Sequence, residues 1–205
     1  SYFATDNPPF GAVFTFYLKE APKTRSEARR EQEEKLFKEG KPIPQPSEDE
    51  RRAEAREEKP HRVFTVTDET GQVVRRLTAK AQKGIQRVAW DLRYPPSTPV
   101  AGRENFNPLA ETRSGMLALP GTYRVSMALR VDGQLRELAG PVEFKADVLG
   151  NTSLPAPDRA ELVAFQRQAS EMARSFLGTR RLAEDMSGRI EAMKRALYAT
   201  PGASP

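Results

Sequence analysis

Gly84-Ile85-Gln86-Arg87-Val88-Ala89-Trp90-Asp91 decides the reading of this chain. The run opens on a turn-forming glycine and alternates. Val88 and Trp90 therefore share one strand face, and the sole tryptophan of the chain becomes a core anchor rather than a ligand platform. Asp91 closes the strand and is expected to bond turn backbone. Upstream, Gln72 to Leu77 and Arg62 to Thr67 read as strands joined by the Asp68-Glu69-Thr70-Gly71 turn. Downstream, Pro120-Gly121 launches a strand over Thr122 to Arg130. Asp132-Gly133, a pair that tolerates positive φ, then turns the chain into strands over Gln134 to Leu138 and Val142 to Val148.

Ahead of this block, Ala12 to Lys19 alternates Phe14, Phe16 and Leu18 against Val13, Thr15 and Tyr17, after a stiff lead-in turn at Asn7-Pro8-Pro9-Phe10-Gly11. Adding it gives seven short strands. The expected fold is mainly β with α: a seven-stranded β-sandwich built from 1–20 and 60–149.

The segment 21–59 breaks that pattern. It holds 11 Lys/Arg and 11 Asp/Glu in 39 residues, with Leu36, Phe37 and Ile43 its only large apolar side chains. Thr24-x-x-Glu27 and Ser47-x-x-Glu50 match the capping box that opens a helix. Helices are predicted near 24–39 and 47–58, separated by the extended Pro42-Ile43-Pro44-Gln45-Pro46. Its charge and apolar poverty make it a surface insertion.

From 150 to 205 the pattern is helical, opening on Asp158-x-x-Glu161. With Leu162 at heptad position a, Leu162, Ala169, Phe176, Ala183, Ile190 and Leu197 occupy a, while Phe165, Met172, Thr179, Met186 and Met193 occupy d. Ten of those eleven positions are apolar. One helix of about 40 residues, about 60 Å long, is expected, with a hairpin broken at Gly178 as the alternative. A stripe of that length exceeds what a small sandwich can cover. Leu162, Phe165, Met172, Phe176, Met186, Ile190, Met193 and Leu197 are therefore read as an association surface, for a further helix or, as the favoured arrangement, a second copy forming a homodimer.

Composition excludes several chemistries. The chain of 205 residues has no cysteine and one histidine, so thiol catalysis, disulfides and Cys- or His-rich metal sites are ruled out. No run approaches a membrane span. The net charge of +5 does not amount to a nucleic-acid surface, because Arg75, Arg76, Lys80, Lys83 and Arg87 have no aromatics interleaved among them. His61 has no carboxylate or hydroxyl partner at a catalytic spacing. Paired carboxylates such as Glu33/Glu34 and Glu57/Glu58 sit in solvated helices. Asn151-Thr152-Ser153 is a formal N-glycosylation acceptor. No catalytic, cofactor-binding or metal-ligating residue is assigned, and no cofactor is expected. The long connection 93–119 is the one candidate ligand loop, through Tyr94, Arg103, Asn105, Phe106 and Asn107, which combine rings, amides and a guanidinium suited to a sugar or a peptide.

Three runs in order, 71–77 (GQVVRRL), 84–91 (GIQRVAWD) and 120–125 (PGTYRV), resemble the Ig-like domain of flagellar hook-capping and secretion-tail type. With Asn7-Pro8-Pro9-Phe10-Gly11-Ala12, the charged insertion and the helical tail, the chain resembles the C-terminal region of bacterial sortilin-like BNR-repeat β-propeller proteins, often labelled glycosyl hydrolase. The resemblance implies an Ig-like accessory module whose partner is its own propeller or another protein. It also implies a secreted or periplasmic location, with a targeting signal upstream of Ser1. The Asp-box repeats of the propeller blades do not occur here, so no hydrolase residue is carried over.

Overall fold

The computed structural model describes residues 10–99, 107–110, 115–150 and 158–202. Its elements run β1 (Ala12–Leu18), α1 (Arg25–Lys38), α2 (Glu48–Arg56), β2 (His61–Thr67), β3 (Val73–Lys80), β4 (Gly84–Trp90), β5 (Gly121–Val131), β6 (Gln134–Ala146) and α3 (Arg159–Ala199). The chain divides into two compact units. Ser1–Pro95 with Phe106–Gly150 carry every strand together with α1 and α2, and Pro96–Asn105 with Asn151–Pro205 carry α3.

In the first unit all pairing is antiparallel: β1 with β4 in one sheet, and β3-β2-β5-β6 in the other. Alternation sets which side chains meet between the sheets. Phe14 and Phe16 of β1 and Trp90 of β4 meet Phe64 of β2, Tyr123 of β5 and Phe144 of β6. Phe14 lies 5.3 Å from Phe144, Phe16 5.0 Å from Phe64 and Trp90 6.1 Å from Phe144, centroid to centroid. Val66, Val74, Trp90, Tyr123 and Ala146 form the buried centre of this layer. The unit is thus mainly β with α, its two antiparallel sheets closing on an aromatic core.

Six strands stand among the described residues where seven were expected, because Gln134–Ala146 is one strand rather than two. Val125 pairs with Val142 and Met127 with Ala139, so Gly140 and Pro141 together oppose Ser126 as a bulge. β6 is an edge strand, where a proline without an N–H is tolerated and the chain bends without ending the ladder.

Both capping boxes form. Thr24 accepts from Glu27 N–H and the Glu27 carboxylate accepts from Thr24 N–H, and Ser47 and Glu50 do the same. No residue of α1 or α2 is buried, and ion pairs tie the 21–59 segment together and to β5 and the turn that follows it. Arg29 bonds Glu54 between the helices at 2.6 Å, Arg25 pairs with Asp132 at 2.5 Å, and Arg130 with Glu58 at 3.0 Å.

α3 runs unbroken through Gly178 and Gly188, so the hairpin alternative falls. Neither glycine meets a neighbour that a Cβ would strike, and each costs only helix propensity, about 1 kcal/mol, within forty-one helical residues.

Candidate functional site

Among the described residues, α3 carries a long run of exposed large apolar side chains. Asp158 caps it, its carboxylate accepting from Glu161 N–H at 2.9 Å. Leu162, Phe165, Met172, Phe176, Met186, Ile190, Met193 and Leu197 are 44 to 69% exposed. Ala169, Thr179 and Ala183 between them are exposed as well. The less exposed positions follow a different line, Val163, Gln166, Ser170, Ala173 and Leu177, of which only Val163 is buried. Arg174 and Arg181, at f positions opposite the a/d seam, donate to the carbonyls of Pro96 and Pro99 at 3.3 and 3.2 Å. The 96–99 stretch thus lies on the far side of the helix and leaves the seam open. Thr179, the one polar seam residue, donates its hydroxyl to Ser175 O at 2.9 Å. That internal bond lets it enter an interface without an unpaired donor.

The 93–119 loop is anchored where it is described. Tyr94 packs against the aromatic core, its N–H donates to Met116 O at 2.9 Å, and its carbonyl accepts from Gly115 N at 2.8 Å and Arg75 Nη1 at 3.2 Å. Gly115 approaches so closely that a Cβ there would meet Pro95 O at 2.4 Å. Tyr94 therefore serves the core. Asn107 is exposed, and its side chain accepts from Leu109 N at 3.0 Å. Arg103, Asn105 and Phe106 lie outside the described residues, as does Asn151-Thr152-Ser153.

His61 is 2% exposed, and its Nδ1 donates to Lys59 O at 3.0 Å, a structural role. Asp91 accepts from Arg93 N at 3.2 Å, bonding turn backbone as its position implied. Arg75 is buried, so the basic hairpin cluster is not one continuous surface.

Arg62 is the residue that the linear reading passed over. It is fully buried between the sheets, with its guanidinium 4.3 Å above the Phe16 ring. Nη2 donates to Lys80 O and the Gln86 side chain, while Nε and Nη1 have no partner among the described residues. Desolvation lowers its pKa. The signal existed: in β2, alternation puts Arg62 on the same face as Phe64 and Val66.

A groove of about 570 Å³ between α1 and the β3–β4 turn is lined by Ala21, Pro22, Lys23, Glu27, Glu31, Ala81, Gln82 and Lys83. Lys23 and Glu31 pair within it. Among the described residues no cluster of three His, Cys, Asp or Glu could hold a metal ion, and no helix is long and apolar enough to cross a membrane.

The geometry defines a class, a chain of two units, one built on two antiparallel sheets and the other on a long helix with an open apolar seam. No family model, curated protein or solved structure matches the chain.

Proposed function

We propose that this chain is a non-catalytic accessory module of a secreted or periplasmic β-propeller protein, an Ig-like sandwich whose work is packing and protein association. The observation that carries the reading is the open seam of α3. Eight large apolar side chains stand 44 to 69% exposed along one helix, an extent that marks an interaction surface. The propeller context rests on the resemblance of 71–77, 84–91 and 120–125 to Ig-like domains of that setting.

The test offers the chain to arrays of glycans and of immobilised amphipathic helical peptides, alongside the F176E and N107A variants. The expected result is seam-dependent association with helices, or with itself, that F176E abolishes and N107A leaves intact. Saturable glycan binding lost in N107A and retained in F176E would overturn the reading in favour of a carbohydrate-binding loop.

A further inference from the structure

We propose that the occupant of the α3 seam is a second α3: two copies of the chain pair antiparallel, Phe176 of each packing against the partner's Thr179. The inference rests on the reading of α3 as an association face and adds the partner, the orientation and the register.

The seam's own sequence carries it. In an antiparallel pair, position a of one helix meets position d of the other. Setting Phe176 opposite the partner's Thr179 also sets Ala169 opposite the partner's Met186 and Met172 opposite the partner's Ala183. Each small residue then faces a large one, so the layers fill at even helix separation. The outer layers, beginning with Leu162 against the partner's Met193, are large on large, where the ends of a straight helix pair diverge. Thr179 has its hydroxyl satisfied within its own helix, so the central layer buries no unpaired donor.

Competing arrangements fit worse. A parallel pair in register stacks Ala169 on the partner's Ala169 and Phe176 on the partner's Phe176, alternating voids with crowding. It also sets Arg189, at g, beside the partner's Lys194, at e, a like-charge contact made twice. Sliding the antiparallel pair by one heptad puts Thr179 against the partner's Ala183, small on small. That register brings Arg180 onto the partner's Arg180 at the two-fold axis. In the proposed register Arg189 faces the partner's Gln168 instead, and the like-charge contact that remains, Lys194 near the partner's Arg159, falls at the first residue of α3, at the end of the pair. The far side of the helix, which donates to the 96–99 carbonyls, is not used.

A cysteine-free chain permits single spin labels. G178C and R195C lie off the seam, and a Cβ at 178 meets nothing. With the axis beside 178, pulsed dipolar spectroscopy at micromolar concentration is expected to give a distance under about 30 Å for G178C and about 50 Å for R195C, from the rise of 1.5 Å per residue. Short distances for both labels overturn the antiparallel arrangement. About 40 Å at R195C overturns the register in favour of the one-heptad slide. No dipolar signal for either label, with α3 fully helical by circular dichroism, overturns the second copy. F176E-sensitive binding to the peptide array then still upholds the association reading, and loss of both removes it.

Discussion

Trp90 and Tyr123 meet edge to face with ring centroids 5.1 Å apart, and each is tied to backbone at the end of its own strand. The indole N–H donates to Arg93 O at 3.0 Å and the Tyr123 hydroxyl to Leu119 O at 2.5 Å. The pair joins the two sheets and holds the chain where it leaves β4 and where it enters β5. Truncating Trp90 to Ala is expected to cost about 3–5 kcal/mol by cavity formation. Chemical denaturation measures it, and a loss below about 1 kcal/mol would show that the sheets do not depend on this contact.

Gly11 sits at φ +112°, and a Cβ there would fall 1.9 Å from Trp90 O. Neither the backbone conformation nor the space admits a side chain. Gly11→Ala is expected to lose at least about 1–3 kcal/mol from the strained φ alone. An unchanged midpoint in urea would mean that β1 does not approach β4 in this way.

The α1–α2 insertion has no buried residue. Replacing 21–59 with a short Gly/Ser linker is expected to leave the sheets folded, the near-ultraviolet signal of Trp90 reporting the core. Global unfolding of that variant would show that the insertion completes the core.

The same insertion should respond to acid before the sheets do. Hydrogen bonds from Thr24 and Ser47 hold Glu27 and Glu50 below the ordinary carboxylate pKa; the Lys23 side chain does so for Glu31, and the Arg29 guanidinium for Glu54. Groups depressed in the folded state stabilise it above their unfolded pKa, near 4.5, and lose that contribution as pH falls through the lower folded value. Hydrogen exchange is expected to show α1 and α2 opening below about pH 4 while β2 and β5 stay protected. Simultaneous opening of helices and sheets would contradict it.

Arg62 is a buried cation without an acidic partner among its hydrogen bonds. Replacing a buried charge by an apolar side chain of similar length is often neutral or stabilising, so Arg62→Met is expected to change stability by less than about 1 kcal/mol. A loss above about 3 kcal/mol in denaturation would show that its bonds to Lys80 and Gln86 outweigh desolvation.

Much of this architecture was written in local pattern. Trp90, Tyr123 and the Thr24 and Ser47 caps were readable because alternation and capping act over a few residues. The merging of two expected strands into β6 was not, because Gly140-Pro141 reads as a break and becomes a bulge only when β5 lies alongside. Arg62 was hidden for a related reason: charge argued for solvent, while its position in β2 argued for the core, and the position prevailed. The α3 stripe was legible as periodicity. That the 96–99 stretch lies against its opposite side could not be, since no local pattern says which face a distant loop takes. For the loop candidates, Tyr94 turned inward because its backbone pairs with 115–116, a contact twenty residues away in sequence and invisible to composition.

Sedimentation velocity of the wild-type chain and of F176E at micromolar concentration measures whether the open seam of α3 is an association face occupied by a second copy. A wild-type dimer and an F176E monomer of unchanged helicity are expected, with association weakened at least about tenfold, or about 1.4 kcal/mol. A wild-type chain that sediments as a fully helical monomer across that range, indistinguishable from F176E, would contradict it.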